Sequence, residues 1–271
     1  METMNVAAAR RGFAVLGTDA RLAAAAQVLC DAGWNLLPQP QLAYAQAVLL
    51  GTPTPSLEPV AAQLALLPPG TLVFAGAVSP SACRTAAELG LTLVDYMESE
   101  ELALFNAVPT AEGAIGILLA ATPETLWRSR AVLVGYGRIA KVLAPRLAAL
   151  GMRVTVAARS AAARMQAQAL GSEAAELSAL PQLAARARFL INTVPSLVVD
   201  EAVLTALPPD AFVLELAGAP GGVDREAAQR LGVRLQLAPG LPGKCAPVAA
   251  GRAVGHTVLA FLRRTAQERR E

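Results

Sequence analysis

Short apolar runs alternate with Ala- and Leu-rich helical stretches along almost the whole chain, and this alternation restricts the fold more than any other feature. Strand-like runs fall near Phe13–Leu16, Trp34–Leu37, Ala47–Leu50, Thr71–Phe74 and Thr92–Val94. A second series falls near Ala131–Val134, Arg153–Ala157, Phe189–Ile191, Phe212–Leu216 and Arg234–Leu237. Helical patterns lie between them, near Ala20–Cys30, Glu58–Leu66, Pro80–Leu89, Ile139–Leu150, Ala161–Leu170, Glu201–Ala206 and Arg225–Leu231. A strand that returns to its sheet through a helix returns in parallel, so the pattern predicts parallel sheets. With roughly five strand runs in each half and no long linker, the expected fold is α/β: two Rossmann-like, doubly wound parallel-sheet domains with a cleft between them.

Composition narrows the class of function. Apolar residues make up 54% of the 271, enough for a large core, although 59 of them are Ala. The longest uncharged stretches, Ala32–Leu57 and Pro59–Cys83, are broken by Pro, Gln and Gly and do not read as membrane spans. Met1–Gly12 has two arginines but no apolar run behind them, so no secretory leader is expected and the chain reads as soluble and cytoplasmic. A net charge of +2, from 23 basic and 21 acidic side chains, argues against a nucleic-acid surface. The mixed run Arg263–Glu271 reads as a solvated helix end. Cys30, Cys83 and Cys245 match no zinc or CxxC spacing, and His256 is the single histidine. Metal sites rich in His and Ser-His-Asp triads are thereby disfavoured.

One motif carries chemistry directly. Ala131-Val-Leu-Val-Gly135-Tyr-Gly137-Arg138-Ile139-Ala140 is a strand, a tight glycine turn and a helix start, the GxGxxA dinucleotide fingerprint in its proper context. Gly135 allows the turn, Gly137 admits a pyrophosphate, and Ala140 permits close packing of helix on strand. The helix start then offers N–H groups and a positive dipole end to the phosphates. The next strand ends in Ala158-Arg159-Ser160, where an NAD site carries an Asp or Glu for the ribose 2′-hydroxyl. Arg159 beside the Ser160 hydroxyl suits a 2′-phosphate, with Arg164 one turn on as a second cation, so the cofactor expected is NADP. Loops at the same sheet edge complete the site: Asn192-Thr193-Val194-Pro195, Ala217-Gly218-Ala219-Pro220-Gly221-Gly222 and Ala238-Pro239-Gly240-Leu241-Pro242-Gly243-Lys244. Pro109-Thr110-Ala111-Glu112 reads as a helix start with Thr110 as N-cap. The chain therefore divides into an N-terminal substrate-side domain (1–108), a connecting helix (109–128), the NADP domain (129–244) and a C-terminal helix packing back on the first domain (245–271).

Several strings carry a resemblance to a known family. Asn106-Ala-Val-Pro109-Thr110-Ala111-Glu112-Gly113-Ala114-Ile115, Pro220-Gly221-Gly222-Val223-Asp224 and Ala238-Pro239-Gly240-Leu241-Pro242-Gly243-Lys244, with the Gly135 fingerprint and Gly17-Thr18-Asp19-Ala20-Arg21, resemble the dipicolinate synthase A-subunit family in order along nearly the whole chain. The resemblance implies an NADP-linked dehydrogenase of sporulating bacteria, on a branch of the lysine pathway. It would make pyridine-2,6-dicarboxylate from a cyclic dicarboxylate, as a homo-oligomer and beside a second, flavoprotein-like B-type subunit. The chain departs from the family in two places: Gly218-Ala219 stands where Ser-Lys is frequent, and Pro247-Val248-Ala249 where Pro-Lys-Thr is frequent.

On this reading Lys244 is the first candidate to neutralise a substrate carboxylate, and Thr110 with the helix N–H groups beside it the second. Glu112 is the candidate acceptor for the ring N–H proton or for the nicotinamide ribose, and Asn106 the candidate to orient substrate. The nearest alternatives are another NADP dehydrogenase of a small carboxylate, of 2-hydroxy acid or shikimate type, and a regulatory subunit that binds NADPH without turnover.

Overall fold

The structure, a computed structural model, describes residues 11–268. The leader reading of Met1–Gly12 falls almost wholly outside the described residues, as does the end of the Arg263–Glu271 charge run. The chain divides into two units, one formed by Met1–Phe105 with Ala246–Glu271 and the other by Asn106–Cys245.

The first unit holds β1 (Gly12–Val15), α1 (Arg21–Asp31), β2 (Asn35–Leu36), β3 (Ala47–Leu49), α2 (Ala61–Leu64), β4 (Leu72–Ala75), α3 (Pro80–Glu88) and β5 (Thr92–Asp95). Every strand pair is parallel, in the order β2-β1-β3-β4-β5. Successive side chains of a strand point to opposite faces. Ala47 and Leu49 therefore join Phe13, Leu29 and Phe74 on one side, while Val48 and Leu50 join Ala14, Val73 and Leu64 on the other. Both faces of β1, β3 and β4 are buried, which is why these strands read as continuous apolar runs.

The next helix, α4 (Glu100–Ala120), corrects the expected connecting helix at 109–128. Its start is set by Ser99, whose Oγ accepts from the Leu102 N–H at 3.3 Å, and by Glu100 and Glu101 in the first turn. Pro109 and Thr110 lie inside the helix. Thr110 caps nothing: it is buried, and its hydroxyl donates to the Asn106 carbonyl one turn back at 2.6 Å. Glu112 accordingly lies in the middle of α4 rather than in a first turn. The helix is long and apolar enough to cross a membrane. Some of its apolar side chains enter cores, Leu102 in the first unit and Ala111, Ala114 and Leu118 in the second, while Leu104, Phe105 and Leu119 are exposed.

The second unit continues with β6 (Arg130–Val134), α5 (Arg138–Ala149), β7 (Arg153–Ala157), α6 (Ala161–Ala169), β8 (Glu173–Ala175), α7 (Leu180–Ala184), β9 (Phe189–Asn192), α8 (Glu201–Ala206), β10 (Phe212–Glu215), α9 (Arg225–Arg230), β11 (Arg234–Leu237) and α10 (Leu241–Cys245). Its sheet is parallel and six-stranded, β11-β10-β9-β6-β7-β8, one strand more than expected. The added strand β8 is Glu-Ala-Ala, with no apolar alternation to reveal it. The last helix, α11 (Pro247–Glu268), belongs to the first unit. It lies so close to α1 that a Cβ on Gly251 would stand 2.2 Å from the Arg21 carbonyl oxygen, and one on Gly255 2.7 Å from that of Ala25.

Candidate functional site

In the second unit the strand order reverses between β6 and β9, and a parallel sheet opens a ligand crevice at such a point, outside the carboxyl ends of its strands. The fingerprint turn sits there. Gly135 has φ +88°, and a Cβ on it would lie 2.7 Å from the Val194 side chain and 2.8 Å from Thr193 Oγ1. Glycine is thus needed twice, for the backbone and for the loop that closes on it. Thr193 is fastened there through its N–H and its hydroxyl, both donating to the Val134 carbonyl.

Gly137 is the N-cap of α5. It supplies no side-chain cap, no acidic residue occupies the first turn, and the space where its Cβ would stand is open. Arg138 and Ile139 form that first turn. This end of α5 fits a pyrophosphate: open backbone N–H groups at the positive end of a twelve-residue helix.

A cavity of about 240 Å³ adjoins the turn, lined by Gly135, Tyr136, Arg159, Ser160, Val194 and Ser196 among others. Four residues singled out from the sequence therefore meet on one surface. Arg159 is exposed, and its guanidinium has no hydrogen bond or ion pair among the described residues. Ser160 caps α6, its Oγ accepting from the Ala163 N–H at 3.4 Å. Arg164 is not a free second cation. Its NH1 donates to the carbonyls of Ala158 and Arg159, and its NH2 pairs with Glu176 at 2.9 Å. It braces the turn that presents Arg159. Tyr136, between the two glycines, is 7% exposed, and its hydroxyl has no partner among the described residues. Burial raises its pKa and keeps it a neutral donor.

A residue that pattern reading passed over holds the neighbouring loops. Glu215, at the end of β10, is 2% exposed. One oxygen accepts from Asn192 Nδ2 and the Ala217 N–H, both at 2.9 Å. The other accepts from the N–H groups of Gly222 at 2.8 Å and Val223 at 3.0 Å. Asn192 in turn donates to the Val194 carbonyl and accepts from the Val194 N–H. Thr193-Val194-Pro195 and Ala217–Val223 are thereby tied to one carboxylate. Gly222 fits because a Cβ there would stand 2.3 Å from the Val194 oxygen. The sequence signal was a single charge at the end of an otherwise apolar strand.

The expected glycine loop at 238–244 is partly helical: Leu241–Cys245 is α10, and Lys244 is exposed on it. Proline and glycine in Leu-Pro-Gly-Lys-Cys disguise a single helical turn, with Pro at a tolerated early position. This short helix packs on the middle of α4. A Cβ on Gly113 would lie 3.0 Å from Cys245 Sγ, which donates to the Pro109 carbonyl at 3.1 Å. Burial, with the nearby Glu112 charge adding to it, raises the Cys245 thiol above its ordinary value. Glu112 and Lys244 therefore flank one contact, each beside a residue that makes it. Asn106 is half-buried one turn before Thr110 on α4.

Residues 119–228 match the NAD-binding domain of D-isomer specific 2-hydroxyacid dehydrogenases, an oxidoreductase cofactor domain. The A subunit of dipicolinate synthase from Bacillus subtilis (strain 168) is 32% identical over 195 residues, a match that spans 72% of this chain and 66% of that protein. Among solved structures, the dipicolinate synthase A subunit from Bacillus halodurans superposes with a TM-score of 0.86 at 27% identity, over 93% of this chain and 97% of that one. The corresponding Bacillus subtilis structure gives 0.82 at 26% identity, over 95% and 97%. Apo D-lactate dehydrogenase from Escherichia coli shares the fold at 18% identity, with a TM-score of 0.69 over 95% and 97%. The chain belongs to the dipicolinate synthase A-subunit family.

Proposed function

We propose that the chain is the NADP-dependent oxidoreductase subunit of a dipicolinate synthase, oxidising a dihydropyridine dicarboxylate to pyridine-2,6-dicarboxylate. The observation that carries the cofactor choice is the end of β7, where an exposed arginine and a serine hydroxyl line the cavity and no carboxylate does. When bound, NADP⁺ supplies the hydride acceptor. The substrate loses a hydride from a ring carbon and a proton, and its ring becomes aromatic, which supplies much of the driving force. The residues are left to position the ring, neutralise carboxylates and accept one proton. We assign Lys244 to a carboxylate and Glu112 to the proton; the half-buried Asn106 orients the ring. Thr110 drops out of this assignment, because its hydroxyl is engaged inside α4.

A 2-hydroxy acid dehydrogenation needs a base for the alcohol proton, commonly histidine. The single histidine, His256, is exposed on α11 and does not line the cavity at the fingerprint turn. That observation favours the ring oxidation. One other favours a second reading, a subunit that binds NADPH and regulates a partner: Gly218-Ala219 beside the cofactor loops offers no side-chain functional group, and the space at the Gly218 Cβ position is open. We further propose a cytoplasmic homo-oligomer working beside a flavoprotein-like second subunit.

The test is turnover. The purified chain is mixed with freshly generated dihydropyridine dicarboxylate and NADP⁺, with and without the second subunit, while NADPH and pyridine-2,6-dicarboxylate are followed together. Equimolar formation of both is expected. Tight NADPH binding with no product under either condition would overturn the enzymatic reading in favour of the regulatory one.

A further inference from the structure

The first unit has a reversal point of its own. In the order β2-β1-β3-β4-β5 the chain turns back between β1 and β3. The loops that leave those two strands, Gly17–Asp19 and Gly51–Pro55, line an open cavity of about 490 Å³, a size that suits a small organic ligand. Neither the cofactor nor the residues assigned above involve it.

Its charged elements are Arg21 and Asp19, whose side chains are each only 17% exposed. Nε donates to both oxygens of Asp19, at 2.9 and 3.2 Å. NH2 donates to Asp19 Oδ2 and to the Thr52 carbonyl, each at 2.6 Å. Asp19 is held from the other side by the N–H groups of Thr52 at 3.1 Å and Arg21 at 2.9 Å. Three of the five guanidinium N–H donors are thus engaged, and the NH1 pair has no partner among the described residues. The backbone is shaped to this cluster. A Cβ on Gly51 would stand 2.7 Å from the Asp19 side chain, and one on Gly76 2.5 Å from the Tyr96 ring and 2.6 Å from Thr52. Tyr96, buried behind the loop, donates its hydroxyl to the Leu50 carbonyl at 3.2 Å.

An arginine fixed through Nε and NH2, with both NH1 donors open, is preorganised to hold an anion oxygen, because little side-chain entropy remains to be lost on binding. The surroundings select which anion. The Asp19 carboxylate accepts from the first N–H of α1, so that helix start is not free to take a pyrophosphate. The cavity has no aromatic lining on which a base could stack. Small hydroxyl-bearing residues, Thr18, Thr52 and Ser56, line the same cavity. We infer that this cavity is a carboxylate-binding site of the first unit, in which the NH1 group of Arg21 takes the carboxylate of a small ring acid. For the ring acid the inference rests on the proposed function.

The full chain is titrated calorimetrically with pyridine-2,6-dicarboxylate, without cofactor and in metal-free buffer, and then with a panel of 2-hydroxy acids, 2-oxo acids and shikimate. Wild type is expected to bind the pyridine diacid. Arg21→Gln is expected to weaken binding about tenfold or more, with NADPH affinity unchanged. Thr18→Glu changes an exposed rim residue, places a like charge beside the ligand, and is expected to weaken binding without lowering the melting temperature. If Arg21→Gln melts early, Thr18→Glu alone decides. Wild-type affinity in the folded variants, or no binding of any carboxylate, overturns the site. Arg21-dependent binding of a panel acid but not of the pyridine diacid upholds the site and overturns the ring-acid substrate. Turnover of the dihydropyridine dicarboxylate with KM unmoved by either variant upholds the function and overturns the site.

Discussion

Glu215 and Arg159 show two opposite ways in which one charge shapes a binding surface. Glu215 is turned inward and satisfied by three backbone N–H groups and one side-chain amide. Glutamine at that position would set its NH2 against a pair of donors, and both would lose their acceptor. Glu215→Gln is expected to cost about 1–3 kcal/mol of stability and to weaken NADPH binding as the two loops loosen, read by urea midpoint and cofactor titration. Arg159 is turned outward, with its backbone carbonyl held by Arg164. Arg159→Asp is expected to weaken NADP binding much more than NAD binding, since the guanidinium–phosphate contact is a strong charge-assisted pair. Equal weakening of both, in a parallel titration, would remove the 2′-phosphate assignment. Arg159 was legible in the sequence because dinucleotide sites place a recognition residue at the end of that strand. Glu215 was not, because its partners are backbone groups that any residue carries.

At the scale of elements, the central parallel strands were legible because they are buried on both faces and bounded by a helix pattern. The extent of α4 was not. Pro109-Thr110 resembles a helix start so closely that local chemistry points the wrong way. Proline at 109 withholds the N–H that would meet the Phe105 carbonyl, a real loss within the helix, and packing of α4 residues in two cores offsets it. The same balance of local and packing effects governs two glycines. Gly116 lies in α4 with open space at its Cβ position, whereas Gly251 in α11 has the Arg21 carbonyl 2.2 Å from that point and the Ala24 Cβ at 2.9 Å. Gly116→Ala is expected to raise stability by about 1 kcal/mol through helix propensity. Gly251→Ala is expected to lower it by about 1–3 kcal/mol, because α1 and α11 must separate. Thermal melts of the two variants side by side give opposite signs if the crossing is as close as described.

At the scale of the whole molecule, acid acts on Asp19. Burial alone would raise its carboxyl, but the hydrogen bonds from the Arg21 side chain and from the backbone of Arg21 and Thr52 hold it below its ordinary value of 3.8. A group depressed in the folded state contributes stability above its unfolded pKa and loses it as the pH falls through the folded one. Stability is therefore expected to decline from about pH 4 downward, and Asp19→Asn is expected to flatten that part of the pH–stability curve, measured by urea midpoints across the acid range. The return of α11 to the first unit bears on the order of events during synthesis. The second unit is continuous and is complete when residue 245 has been made, whereas the first stays unfinished until α11 follows. The face of α1 that receives Gly251 and Gly255 is translated before its cover exists. A nascent chain paused between 106 and 245 would carry α1 with that face uncovered, so a ribosome-bound intermediate of that length exposes a surface that the finished chain buries.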